Sequence, residues 1–247
     1  MHYIVFDLEF NQDFASIKSW DESIKKYPYE IIQIGAVKLD QNFKTLATFN
    51  RYVKPSIYEQ ISAFVTDLTG ITTEQLASED YFPGVFNAFT EFIGKEDAVF
   101  CIWGMSDMKE LFRNVEYHKL DKELLPIMYI NLQPYVSLHF NLPKTKLLKL
   151  QTAVEMLNIP VSHPFHDAFH DAYYTAELLK KIHHPAILPK QYTKNYVNIQ
   201  SRLPKKVIDF EGLFQQFNKM YGRELSNDEQ NMIKLAYLMG KTNQFLK

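Results

Sequence analysis

The sequence predicts an α/β fold, a mixed sheet of five strands flanked by helices and followed by a helical C-terminal extension. Three observations predict it. A β-rich run opens the chain, and two more follow at hairpin-length spacing, which gives a three-strand meander. Beyond residue 95, strand-like runs alternate with helix-like ones, the pattern of strands joined by crossovers. From about residue 186 this alternation stops, and a basic stretch and two amphipathic patterns take its place.

Residues 2–9 (HYIVFDLE) are rich in β-branched and aromatic side chains and read as the first strand. Residues 31–39 (IIQIGAVKL) and 44–53 (KTLATFNRYV) are the next two, linked by the turn-forming Asp40-Gln41-Asn42-Phe43. The polar, aperiodic residues 11–29 read as a long loop. Helical spacing over 73–93 is broken by Asp80-Tyr81-Phe82-Pro83-Gly84, giving two helices. A buried strand at 97–103 (DAVFCIW) leads into a helix at 106–117. A strand at 127–132 and helices at 147–158 and about 167–182 complete a domain spanning 1–185. In the extension, 186–247, helices are expected near 207–221 and 227–240. The second opens on the capping box Ser226-Asn227-Asp228-Glu229.

Composition narrows the function. With 247 residues, 46% hydrophobic and 23% charged, the bulk of the chain cannot be disordered. One cysteine, Cys101, excludes an intramolecular disulfide framework and a Cys-rich zinc site, and fits a reducing compartment. No apolar run has the length of a membrane-spanning helix and no secretory signal is apparent, so a cytoplasmic protein without membrane partners is expected. A net charge of −2 gives no bulk attraction for a polyanion. Any nucleic-acid surface must come from local clustering or bound metal.

Asp7 and Glu9 are the first candidates for chemistry. Period-2 geometry turns both carboxylates to one face of the first strand, while Leu8 faces the other way. Two carboxylates within an apolar strand are costly to bury unless a cation neutralises them, and Mg²⁺ or Mn²⁺ prefers such oxygen ligands. Taken alone, Asp-x-Glu is a weak signal, and a strand end with both side chains solvated explains the pair better. Asp107, just past the strand 97–103, stands where α/β sheets place functional groups, although it also suits a helix cap. The run His163-Pro164-Phe165-His166-Asp167-Ala168-Phe169-His170-Asp171 pairs His166 with His170 and Asp167 with Asp171 at helical spacing. Spacing alone does not choose between the pairs.

Together these residues resemble the DEDDh family of 3′–5′ exonucleases on the RNase H-like fold, closest to its RNA-trimming branch and to bacterial KapD-like proteins. The order matches: Asp7-Leu8-Glu9 on the first strand, Asp107 after a later one, then His166 and Asp171 at a helix start. Glu30-Ile31-Ile32-Gln33-Ile34-Gly35-Ala36-Val37 is similar to the family's second strand, and Leu68-Thr69-Gly70-Ile71 to its Leu-Thr-Gly-Ile loop. The resemblance covers about residues 2–183.

The resemblance implies His166 as the general base and Asp7, Glu9, Asp107 and Asp171 as ligands of two divalent ions, Mg²⁺ or Mn²⁺. It leaves Asp167 and His170 as variable helix positions. It implies release of nucleoside 5′-monophosphates from a free 3′ end, with RNA favoured over DNA and single strands or short 3′ overhangs as substrate. Leu8, Phe10 and Asn11 are expected beside the terminal sugar, and Leu68 and Thr69 against the last bases. Trp103 suits core packing better than stacking. Two other classes compete. One is a catalytically silent nuclease fold that only binds RNA, which the presence of all five site residues disfavours. The other is an all-helical HD-type phosphohydrolase, which the strand-first pattern disfavours. The basic, Tyr-containing stretch 188–208 reads either as a track for a single strand or as a linker to docked helices.

Overall fold

In the computed structural model, β1 (His2–Asn11) is the central ribbon around which the domain is laid. The structure describes residues 1–12, 29–143, 146–193 and 209–241, with side chains through 237. Residues 13–28 of the long loop expected at 11–29, and most of the basic stretch, therefore lie outside the described residues, while Asn11 closes β1. On one side β1 pairs antiparallel with β2 (Glu30–Leu39), which pairs antiparallel with β3 (Thr45–Tyr52). On the other it runs parallel to β4 (Ala98–Ile102), and β4 runs parallel to β5 (Met128–Asn131). The turn between β2 and β3 forms because the Asp40 carboxylate accepts from the Asn42 and Lys44 amides, at 2.8 and 2.9 Å.

Alternation along β1 builds two cores. Ile4, Phe6 and Leu8 enter one, with Phe86 and Phe89 of the helix α3 (Phe82–Ile93) and Leu111 of α4 (Ser106–Tyr117). Tyr3 and Val5 enter the other, with Val154 of α6 (Leu150–Met156) and Leu178 and Leu179 of α7 (Ala168–Ile182). Each such fully buried side chain contributes roughly 1.5–3 kcal/mol. Asp7 and Glu9 share the odd-numbered face, so they look toward α7. That single fact of periodicity positions the site.

Three elements differ from expectation. Ala63–Thr69 is a short helix, α1, where the sequence read a loop; Ser62 caps its start and Gly70 ends it in a left-handed turn (φ 75°). It packs Val65 beside Ile71, Leu76 of α2 (Thr73–Leu76) and Ile32. A second unforeseen helix, α5, spans Gln133–His139. Finally, Lys190–Gln191 adds a short strand, β6, antiparallel to β5, so among the described residues the sheet has six strands, in the order β3-β2-β1-β4-β5-β6, rather than five. The cause is Tyr192, whose ring packs on Phe112 (4.8 Å) and whose amide donates to Ile127 O at 2.7 Å. That tyrosine belongs to a core margin, not to a solvent-facing track.

The chain divides into two compact units, Met1–Thr193 and Lys194–Lys247. Within the second, α8 (Phe210–Tyr221) and α9 (Asn227–Lys241) form a helical pair. Its capping box is made as read: Ser226 N donates to Glu229 Oε2 (2.8 Å), and Glu229 N donates to Ser226 Oγ (3.3 Å). The sheet of the first unit rules out the all-helical HD-type reading.

Candidate active site

Among the described residues, carboxylate oxygens of Asp7, Glu9 and Asp171 lie within 4.8 Å of one another. Asp7 and Glu9 come from one face of β1, and Asp171 from the first turn of α7, which crosses that face. A β-bulge follows Glu9: Glu9 faces Gln33 but Phe10 faces Ile31, so Ile32 is the extra residue on β2. The bulge bends the strand where the carboxylates end. Asp107, buried in the first turn of α4, stands just outside the trio yet close enough to act on Asp7 and Glu9 electrostatically.

Four carboxylates in one buried place repel one another. Burial, then Asp107, Asp171 and Glu9, hold Asp7 well above the usual carboxylate range. Burial and the charges of Asp171 and Asp107 raise Glu9 to about 8. Burial raises Asp107 and Asp171 to about 7 each, the second opposed by the His166 amide, which donates to Asp171 Oδ2 at 3.2 Å. Among the described residues no lysine or arginine neutralises the four, and Asp171 Oδ1 is buried without a hydrogen-bond partner. Such a set calls for a cation. All its donors are hard carboxylate oxygens, which suit a divalent ion such as Mg²⁺ or Mn²⁺, and Asp7, Glu9 and Asp171 are the residues that would hold it.

His166 takes a left-handed backbone conformation (φ 65°), which turns its amide to Asp171 and leaves the residue exposed at the rim. The structure also separates the two aspartates that spacing could not. Asp171 joins the carboxylates, whereas Asp167 caps α7, accepting from the His170 amide at 3.0 Å. Asp167 is not a passive helix position, because Gln33 Nε2 donates to its other oxygen at 3.0 Å.

The remaining site residues separate by burial. The Leu8 side chain is buried in the core beneath β1. Asn11 is fully buried, with Nδ2 donating to Gln60 O (2.9 Å) and Oδ1 accepting from Ser62 N (3.1 Å). Neither side chain is open to a sugar; Asn11 instead bolts the start of α1 to the end of β1. Phe10 is half-buried against Tyr29. Thr69 spends its hydroxyl locally, donating to Val65 O and accepting from Ile71 N. Leu68 is 43% exposed, and Phe64, one turn earlier on α1, is 62% exposed. Phe64 was missed by sequence reasoning, since only a helix brings it beside Leu68. Trp103 packs against the second core, as its apolar neighbours foretold.

A strand-borne Asp-x-Glu pair thus meets a helix-borne aspartate beside an exposed histidine, on a mixed sheet. The chain belongs to the Exonuclease family, whose pattern it matches over residues 4–179. It is 25% identical over 193 residues to the 3′-5′ exonuclease crn-4 of Caenorhabditis elegans, covering 72% of this chain and 62% of that protein. It is 25% identical over 209 residues to mouse ERI1 exoribonuclease 3, covering 79% and 57%. The chain thus spans about three-fifths of the length of these two relatives, and 13% of a DNA polymerase III PolC-type from Caldanaerobacter subterraneus to which it is 30% identical over 218 residues. In fold it is similar to the nuclease domain of 3′hExo, a DEDDh family member bound to rAMP, with a TM-score of 0.64, 22% identity, and 78% and 96% of the two chains covered. No helix among the described residues is long and apolar enough to cross a membrane.

Proposed function

We propose that this protein is a metal-dependent 3′–5′ exonuclease that releases nucleoside 5′-monophosphates from the free 3′ end of nucleic acid, with RNA favoured over DNA. One observation carries the reading: a carboxylate trio, Glu9 buried and Asp7 and Asp171 half-buried, that no lysine or arginine among the described residues neutralises, beside an exposed histidine whose amide donates to one of its members. Two Mg²⁺ or Mn²⁺ ions, when bound, supply the positive charge that acidifies water and stabilises a leaving oxygen. Asp7, Glu9 and Asp171 would hold them, and Asp107 would complete the set. His166, at the rim, accepts the proton of the attacking water. The water's oxygen joins phosphorus and the 3′ oxygen of the preceding nucleotide leaves, so the product carries a 5′-phosphate.

Grip on the strand comes from α1. Its exposed Phe64 and Leu68 offer an apolar, sequence-tolerant surface to the terminal bases, and Asn11 fixes that surface relative to Asp7 and Glu9. Two likenesses support RNA, mouse ERI1 exoribonuclease 3 by its name and the 3′hExo domain bound to rAMP, while the match to a DNA polymerase III PolC-type makes DNA the comparison substrate. The test is chromatographic identification of products from single-stranded RNA with a free or a blocked 3′ end. Nucleoside 5′-monophosphates from the free end alone are expected; internal fragments, or digestion of the blocked strand, would overturn the reading.

A further inference from the structure

Gln33 is an amide where the fold asks for none. Its neighbours on β2, Ile31, Ile32 and Ile34, are all core residues, and Gln33 itself is fully buried. A buried amide is costly unless its hydrogen bonds are made, and here they are. Nε2 donates to Asn50 Oδ1 (3.0 Å) and to Asp167 Oδ2 (3.0 Å), while Oε1 accepts from the Ala168 amide (3.1 Å). Gln33 therefore grips the cap residue of α7 through its side chain and the first helical residue through its backbone. His166 directly precedes this clamp, and Asp171 lies one turn beyond it.

Hydrogen bonds are directional where packing is not, so a clamp of this kind sets the rotation and advance of a helix as well as its distance. Gln33 also faces Glu9 across the β1–β2 ladder, so the clamp shares a rung with one carboxylate and orients the element bearing another. We infer that Gln33 is a positioning residue, which acts through Asp167 and the start of α7 to bring Asp171 into reach of Asp7 and Glu9. The inference rests on the proposed role of Asp171 as a metal ligand.

The experiment measures Mn²⁺ binding by calorimetry, and the Mn²⁺ needed for half-maximal hydrolysis of a short RNA, in the full chain. The variants are Gln33→Leu, Gln33→Glu, Asp167→Asn and the double exchange Gln33→Glu with Asp167→Asn. Gln33→Leu is expected to weaken Mn²⁺ binding and raise the Mn²⁺ requirement about tenfold or more, with KM for RNA nearly unchanged. Gln33→Glu sets two carboxylates against each other and should lose more. The exchange rebuilds the clamp, because the carboxylate introduced on β2 can accept from the amide introduced at the α7 cap, from Asn50 and from the Ala168 amide. It should recover most of the loss in Mn²⁺ binding, which shows the two residues acting as one clamp, while the unchanged KM separates positioning of the metal ligand from general loosening of the fold. An unchanged Mn²⁺ requirement in Gln33→Leu, or an exchange no better than Gln33→Glu, would overturn the inference; should Gln33→Leu fail to fold, the exchange decides. Asp171→Ala separates the two levels: if it binds Mn²⁺ and cuts RNA normally, the ligand assignment itself is wrong.

Discussion

Asp7 on β1 and Gly35 on β2 face each other across the antiparallel ladder, and the peptide joining Ala168 to Phe169 lies directly on Gly35. A β-carbon on Gly35 would stand 2.1 Å from the Ala168 carbonyl carbon and 2.1 Å from the Phe169 nitrogen. This close approach lets α7 deliver Asp171 to Asp7. Gly35→Ala must push the helix start away, at a cost of about 1–3 kcal/mol for overpacking. Its nuclease activity should fall about a hundredfold, because an ångström of misplacement is felt at a metal site. Paired thermal melts and initial rates check this; a folded, fully active Gly35→Ala protein would refute it.

Metal-free protein should lose stability as pH rises. Glu9 stands at about 8 and Asp107 and Asp171 at about 7 in the folded state, and Asp7 is raised too, whereas unfolded carboxylates titrate near ~4. Between those values the folded chain holds more protons than the unfolded one. The corresponding stability is therefore complete below the unfolded values and lost as pH climbs through 7–8. The melting temperature in EDTA should fall from about pH 5 to about pH 8, and Mg²⁺ or Mn²⁺ should restore it most at the alkaline end. Binding should also release protons, seen as a buffer-dependent calorimetric heat. A melting temperature in EDTA that rises over that range would contradict the cluster's electrostatics.

Truncating the exposed apolar pair tests the grip of α1. Phe64→Ala and Leu68→Ala remove surface, not core, so folding and Mn²⁺ binding should be unaffected. Loss of Phe64 stacking, worth about 1–3 kcal/mol per base, should raise KM for single-stranded RNA from several-fold to about a hundredfold, and Leu68→Ala, which removes apolar contact only, should raise it less. Equal KM values in wild type and both variants would place the strand elsewhere.

Where the first unit ends can be read by truncation. A chain stopped after Thr193 keeps β6, the buried Ile187 and the Tyr192–Phe112 contact; one stopped after 185 loses all three. The longer version should melt higher, by several degrees for a deficit of about 2 kcal/mol, and should keep activity on short RNA. Equal melting temperatures would show that β6 contributes nothing to the domain.

Much of this was legible in the sequence. Period-2 alternation placed Asp7 and Glu9 on one face, and apolar runs located β1, β2, β4 and α4 almost to the residue. The family resemblance picked Asp171 over Asp167, and the trio contains Asp171. What was not legible depends on distant partners. Gln33 and Asp167 are 134 positions apart, and no local pattern joins them. Helix α1 was read as a loop because it turns Phe64 and Leu68 outward, which erases the buried stripe that marks a helix. Asn11 looked like a ligand for sugar because its commitments to Gln60 and Ser62 exist only once the chain has folded. Strand β6, two residues long, is shorter than any periodic signal.

The buried carboxylates and His166 are proposed to form a working metal-dependent 3′–5′ exonuclease, and one assay tests that most directly. It is a gel assay on 5′-labelled single-stranded RNA and DNA, with Mg²⁺, Mn²⁺ or EDTA, comparing the wild type with Asp7→Ala and His166→Ala. The predicted result is a ladder shortening from the 3′ end, faster on RNA, abolished by EDTA and by Asp7→Ala and reduced about a hundredfold or more by His166→Ala. RNA that stays full length with every metal while remaining bound to the protein would contradict it, and would make this a nuclease fold that binds without cutting.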